Sequence, residues 1–234
     1  MQTALGAETA DAHPVAANAR ARLWLAPRLL AGLNLQQWLA DGELLLSAQA
    51  REEAGSGRGA ARRVALAGNE GVWRVNRHGG LLGRLRGDRF GSPRRLAREV
   101  EVVARLRRLE IATPPVLLAL AVRRGGAWRQ HLLTALVPDA CTLFEVRQDA
   151  GAAAAARALL EELFDVGLWA SDLHPANLLW QPGPRCCWIV DLAGARLLQR
   201  PLRRGERRAR IARFLRYFVK HAGAVPAPYA GWGA

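Results

Sequence analysis

The 234-residue sequence predicts an α+β chain in two lobes: a small antiparallel sheet with one helix, followed by a mainly helical half. Three observations carry this. Strand-like segments separated by turn residues dominate the chain up to about Val137, and one stretch there keeps helical spacing. Helical runs, alanine-rich before Asp165 and arginine-rich after Pro201, dominate the rest. The change falls near Pro138-Asp139, and 50% of residues are hydrophobic, enough to bury a core. The expected organisation is a loose segment over 1–20, a first lobe over 21–137 and a second over 138–234. Two lobes of this kind flank a ligand cleft.

The elements follow in order. Residues 1–20 are small and polar, as in a loose terminus. "ELLLSAQA" (Glu43–Ala50) predicts a strand, and "REEAGSGRGAA" (Arg51–Ala61) a glycine-bearing loop. "RRVALAG" and "GVWRVNRHGG" predict two strands joined at Gly68-Asn69-Glu70-Gly71. Ser92 before Pro93 marks a helix start, which Leu96, Val100, Val103 and Leu106 continue. "TPPVLLALAVRR" and "WRQHLLTALV" predict a further strand pair, and "PDACTLFE" a crossover. "GAAAAARALLEELFDVGL" predicts a helix, Trp169–Leu198 a strand, loop and strand, and "RRGERRARIARFLRYFVKHAG" a basic closing helix.

Charge is the outlier in composition. The chain carries +14 with a pI near 11.4, nearly all from arginine, because the sole lysine is Lys220. Such a surface attracts polyanions: nucleotide phosphates, nucleic acid or an anionic membrane. The arginine runs lack an aromatic platform, zinc spacing or a nucleic-acid module, so no nucleic-acid partner is expected. Cys141, Cys186 and Cys187 have no metal spacing and suit a reducing compartment. No secretory signal and no run of 18 apolar residues is found, which predicts a cytoplasmic protein that touches the membrane face.

"SDLHPANLLW…WIVDLAGAR" carries the chemistry. Asn177 lies five residues after Asp172, and Asp191 ends the apolar strand "CCWIVD" fourteen residues later. Carboxylates among apolar runs are costly unless they are used. Phosphoryl transfer needs one carboxylate near the attacking hydroxyl and oxygen ligands for Mg²⁺, and this spacing supplies both. The wording resembles the catalytic and metal-binding loops of the protein-kinase-like superfamily, in its small-molecule phosphotransferase branch. "WRVNRHGGLLGRLRGDRF", "REVEVVARLRRLEIATPPV", "LLTALVPDACTL" and "ARIARFLRYFVKHAG" narrow the resemblance to the lipopolysaccharide kinases. Within that family it is nearest the branch that phosphorylates 3-deoxy-D-manno-octulosonic acid (Kdo), over roughly residues 55 to 222.

The resemblance implies a bilobal protein-kinase-like fold and an ATP- and Mg²⁺-dependent kinase. Asp172 matches the catalytic Asp, Asn177 and Asp191 the metal ligands, and Glu99 the helix glutamate that pairs with the phosphate-binding cation. Arg74 falls at that cation, with Arg77 the nearby alternative. Gly57 and Gly59, with Gly55, offer either a phosphate-covering loop or a plain flexible one. Three departures stand out: Ala170 replaces the usual histidine, Arg74 replaces lysine, and the metal loop Asp191-Leu192-Ala193-Gly194 is one residue longer. Taken singly, Asp172 and Asn177 read as turn residues and Glu99 as a solvated charge; the spacing of the set favours chemistry. His174 either orients the loop or contacts a phosphate. The implied acceptor is Kdo on a lipid A precursor, at the inner face of the bacterial inner membrane. That substrate and the anionic membrane surface are the expected partners, and no protein partner is identifiable. The alternatives are a soluble phosphotransferase of the aminoglycoside or choline kinase type, and a non-catalytic pseudokinase module.

Overall fold

The computed structural model describes residues 11–53, 61–78 and 87–233. Of these, the residues up to Ala104 together with Pro115–Leu136 form one compact unit. Arg105–Pro114 and the residues from Val137 onward form the other. Residues 105–114, read from sequence as part of the first lobe, thus pack with the second. Ile189 N donates to Ala112 O (2.9 Å) and Thr113 Oγ1 donates to Ile189 O (3.0 Å), tying this segment to the later chain.

The first unit is built on a seven-stranded antiparallel sheet. Its strands are β1 (His13–Ala17), β2 (Ala21–Leu25), β3 (Ala50–Glu53), β4 (Arg62–Leu66), β5 (Asn69–Val75), β6 (Val116–Arg124) and β7 (Ala127–Ala135). They lie in the order β1-β2-β6-β7-β5-β4-β3. The loose segment expected over 1–20 is therefore corrected from His13 onward, where β1 pairs antiparallel with β2.

Helices α1 (Pro27–Leu30) and α2 (Leu35–Gln49) also belong to this unit, so it has more than the one helix expected. "ELLLSAQA" is not a strand but, up to Gln49, the second half of α2, and only its last residue, Ala50, begins β3. Asn34 caps that helix, its Oδ1 accepting from Gln36 N (3.1 Å) and Gln37 N (3.2 Å). Asp41-Gly42 looks like a turn, but Gly42 sits inside the helix. A Cβ there would lie 2.7 Å from Leu120 Cδ2, so glycine permits close helix–sheet packing at a propensity cost of about 1 kcal/mol. Trp38, Leu39 and Leu46 of α2 bury against Leu23, Leu25, Leu118, Leu120 and Leu133 of the sheet. Trp73 joins this core, so its neighbour Arg74 faces the other side of the sheet by the two-residue period. On that side runs α3 (Arg94–Arg108), whose Leu96, Val100 and Val103 are buried as its spacing predicts.

The second unit holds α4 (Ala150–Asp165), capped by Asp149 Oδ1 accepting from Ala152 N at 2.8 Å. It buries Leu159, Leu160, Leu163 and Phe164. Strands β8 (Cys141–Thr142), β10 (Leu178–Gln181) and β11 (Cys186–Ile189) form a three-stranded sheet, and β9 (Leu168–Trp169) pairs with β12 (Arg196–Leu197). Cys187 is buried on β11, where desolvation pushes its thiol up to about 12, so it packs as an inert apolar residue. Helix α5 (Arg204–Ala222) ends at Gly223, whose φ of 82° is the left-handed cap that glycine adopts without strain. Its Phe214 and Phe218 pack on Tyr229.

Candidate active site

The second unit positions Asp172. Strand β9 delivers the chain to it, and Gly167 just before is obligatory. Gly167 has φ 81°, and a Cβ there would meet Arg200 O at 2.3 Å. After Asp172, Pro175–Asn177 makes one tight 3₁₀ turn, with Asn177 N donating to His174 O (2.9 Å). Proline fixes φ at the start of that turn, where its missing N–H costs nothing. Asn177 Nδ2 donates to Asp172 O at 2.9 Å, which closes the loop on itself.

The β10–β11 hairpin brings Asp191 to the same place. Leu178 pairs with Ile189, and Val190 N donates to Asn177 O at 3.0 Å. Asn177 therefore sits just before one strand of the hairpin and Asp191 just beyond the other, at a shared end. Asp191 has φ 56°, a left-handed conformation that Asp tolerates better than most residues, and its Oδ1 accepts from Ala193 N (3.4 Å). The longer Asp191-Leu192-Ala193-Gly194 loop is accommodated here by two left-handed residues, Asp191 and Gly194.

The donor set suits Mg²⁺. The Asn177 amide nitrogen is spent on the loop, so its oxygen is the end that can ligate. Among the described residues no group of three or more His, Cys, Asp or Glu side chains converges. One carboxylate, one amide oxygen and substrate phosphates are what Mg²⁺ takes, because it keeps several waters.

The electrostatics around Asp172 are mixed. Its side chain is 59% exposed, with His174 Nε2 at 3.9 Å and Arg213 Nη2 at 3.7 Å from Oδ1. Burial is the main influence on His174 and pulls its pKa down; the charges of Asp172 and Asp191 pull it up, and Arg213 down. Both carboxylates thus lie within electrostatic reach of this ring. The ring stacks on Tyr217 of α5 at 4.5 Å, and its buried Nδ1 has no hydrogen-bond partner among the described residues. His174 thus packs against α5 through its ring.

The first unit positions the other set. Arg74 on β5 forms an ion pair with Glu99 of α3 and donates to Asn76 Oδ1. Glu99 is 1% exposed, not the solvated charge its helical position suggests by default. A buried carboxylate persists only when paired and hydrogen-bonded. Asn76 Nδ2 supplies the second contact, donating to Glu99 Oε2 (3.2 Å) and to Gln130 Oε1 (3.3 Å). Gln130 Nε2 in turn donates to Ser92 O (3.0 Å), anchoring the start of α3 to the sheet. Arg74 keeps 21% of its side chain exposed, and Arg77 lies on the surface. Gly57 and Gly59 lie outside the described residues.

These arrangements can be compared with known proteins. The sequence model of the Lipopolysaccharide kinase (Kdo/WaaP) family matches residues 44–228. The chain belongs to the lipopolysaccharide kinase (Kdo/WaaP) family. Membership makes it a lipopolysaccharide kinase, a phosphotransferase. A solved structure described as "WaaP in complex with acyl carrier protein" aligns with a TM-score of 0.54 at 16% identity, over 84% of this chain and 80% of that one. At that identity the likeness speaks for the protein-kinase-like fold. No curated protein sequence matched the chain.

The sequence reading of this lipopolysaccharide kinase missed what α5 contributes. Arg210 Nη1 donates to Ala170 O (3.1 Å), and its guanidinium lies 5.0 Å from the centre of the Trp169 ring. Arg196 lies 4.5 Å from the same ring. The loop that carries Asp172 is thus held from α5 through its backbone, where Ala170 offers no side-chain hydrogen bond. Arg213 and Tyr217 reach Asp172 and His174 from the same helix. Their spacing within the arginine run was visible, but not which loop the helix would meet.

Proposed function

We propose that this lipopolysaccharide kinase transfers the γ-phosphoryl group of ATP to a hydroxyl of Kdo on a lipid A precursor. The observation that carries the reading is the gathering of Asp172, Asn177 and Asp191 at one end of the β10–β11 hairpin. The family match supports the lipopolysaccharide acceptor, and the likeness of "WRVNRHGG" and "LLTALVPDACTL" to the Kdo branch supports the sugar.

In this reading Asp172 accepts a hydrogen bond from the acceptor hydroxyl and aims its oxygen at the γ-phosphorus. The new O–P bond forms as the bridging O–P bond to ADP breaks. The hydroxyl proton passes late to Asp172 Oδ and then to water, because a loose transition state needs little deprotonation. Asn177 Oδ1 and the Asp191 carboxylate would hold Mg²⁺, which would supply positive charge to offset that developing on the transferring phosphoryl group. Arg74, braced by Glu99 and Asn76, holds the α/β-phosphates; an arginine does this through two parallel N–H donors where lysine offers a point charge.

Among the described residues no helix is long and apolar enough to cross a membrane. With a charge of +14, the enzyme works peripherally on the anionic inner leaflet. The solved neighbour was captured with an acyl carrier protein, so that carrier is the protein partner to test first. The deciding experiment incubates the protein with labelled ATP and Kdo-lipid A, with free sugars, choline and aminoglycosides in parallel. Label on the Kdo residue alone supports the reading; label on choline or an aminoglycoside replaces it.

A further inference from the structure

Helix α5 and its N-cap Arg203 carry eight arginines and lysines up to Lys220, and the structure sorts them by task. Arg207 is spent within the fold, on Glu161 (3.1 Å), Asp165 (2.6 Å) and Leu202 O (2.9 Å). Arg210 is spent on the catalytic loop. Arg203, Arg204 and Arg208 are exposed on the first turns. Arg213, Arg216 and Lys220 remain, all exposed, at spacings of three and four. That spacing lines them along one side of the helix. At about 1.5 Å rise per residue they span about 10 Å.

The stripe begins at the catalytic carboxylate. Arg213 Nη2 lies 3.7 Å from Asp172 Oδ1, too far for a hydrogen bond, and the two side chains are 48% and 59% exposed. The stripe is poorly compensated. The guanidinium of Arg210 has its pKa lowered first by burial and then by the charges of Arg213 and Arg216. An anion placed here would relieve that repulsion.

We infer that Arg213, Arg216 and Lys220 form the acceptor subsite, and that it takes an acceptor bearing at least two anionic groups, carboxylate or phosphate, along about 10 Å. This rests on the reading of Asp172 as the residue that receives the acceptor hydroxyl. Arg213 grips the anion nearest the reacting hydroxyl, and Arg216 and Lys220 hold anions further along. The same stripe rejects cationic acceptors by like charge.

The test uses the full chain with three acceptors: Kdo-lipid A, its carboxyl methyl ester and its dephosphorylated form. Arg213→Gln, Arg216→Gln and Lys220→Gln are exposed changes that leave the fold intact. Arg213→Gln should raise the KM for Kdo-lipid A about 10- to 100-fold, the factor for losing a charge-assisted hydrogen bond, with the KM for ATP unchanged. One anion should then become redundant. Either esterification or dephosphorylation should cost wild type a similar factor and cost Arg213→Gln little more. The form that behaves so identifies the group Arg213 holds. Arg213→Lys should recover part of the loss. An unchanged KM in all three variants, or equal losses on every acceptor, overturns the subsite.

A second readout separates this from the proposed reaction. Free Kdo and inorganic phosphate are titrated while the arginine side-chain N–H signals are followed by NMR. Binding seen in wild type and lost in Arg213→Gln, without transfer to Kdo-lipid A, keeps the subsite and removes Kdo transfer. Robust transfer with unaltered variants removes the subsite and keeps the reaction.

Discussion

Glu99→Gln is the most informative single change in the Arg74–Glu99–Asn76 cluster. One carboxylate oxygen of Glu99 accepts from Arg74 and the other accepts from Asn76 Nδ2 at 3.2 Å. Glutamine has one oxygen and one NH₂, so either Arg74 or Asn76 must face a donor instead of an acceptor. Residue 99 is 1% exposed, so water does not repair the loss. An unsatisfied buried donor costs about 1–3 kcal/mol. At about 2–4 °C per kcal/mol for a chain of this size, Tm should fall by about 2–12 °C. The guanidinium also loses its brace, so the KM for ATP should rise. The control is Arg74→Met with Glu99→Leu. Replacing a buried ion pair by apolar residues is often neutral for stability, but here buried Asn76 Oδ1 loses its donor, so this double variant should melt about 2–12 °C below wild type, as Glu99→Gln does, and yet fail to turn over. Thermal melts and steady-state kinetics on the three proteins decide the matter. A double variant that is stable and still active would refute the assignment of Arg74 to the phosphates.

Three further expectations follow from the same geometry. Asp191→Asn should raise the Mg²⁺ concentration for half-maximal rate at least about tenfold, since even outer-shell losses cost 10–100-fold, and Asn177→Ala should do so less; an unchanged Mg²⁺ dependence in both would put the metal elsewhere. His131 is buried against Trp73, with Glu43, Asp88, Arg124 and Arg129 around it, and desolvation lowers its pKa to about 4. A histidine held neutral in the fold favours unfolding once the unfolded chain protonates, so stability should fall as pH drops from about 6.5 towards 4. His131→Phe should flatten that part of the pH–stability curve, and an identical curve would rule the histidine out. Raising salt from about 0.05 to 0.5 M should release the protein from anionic vesicles. Neutralising Arg203, Arg204 and Arg208 should weaken vesicle binding, whereas Arg207→Gln should mainly destabilise α5, because Arg207 is tied to Glu161 and Asp165.

How much the sequence could show depended on the range of the interaction. The Asp172–Asn177–Asp191 set was legible because a single loop and hairpin, read within twenty residues, determines its geometry. The strand pair around Ala67-Gly68 and the start of α3 at Ser92-Pro93 were legible for the same local reason. Glu43–Ala50 misled because leucines on the buried side of α2 adjoin an exposed Leu44, giving a short apolar run with no clear period. Glu99 looked like a surface charge because its partners, Arg74 and Asn76, lie more than twenty residues away on β5 and just after it. The grouping of 105–114 with the second unit rests on bonds to Ile189 that no local pattern encodes. Arg210 and Arg213 were hidden among their neighbours, since arginine-rich composition makes each look interchangeable.

In the proposed reaction Asp172 directs an acceptor hydroxyl onto the γ-phosphorus of ATP. Single-turnover phosphoryl transfer to Kdo-lipid A, measured on wild type and Asp172→Ala with ATP affinity recorded in parallel, tests it most directly. The rate should be about 10²–10⁴-fold lower in Asp172→Ala, with ATP binding little changed, because the loss is one of positioning and proton acceptance. A folded Asp172→Ala protein that transfers phosphate at close to the wild-type rate would contradict it.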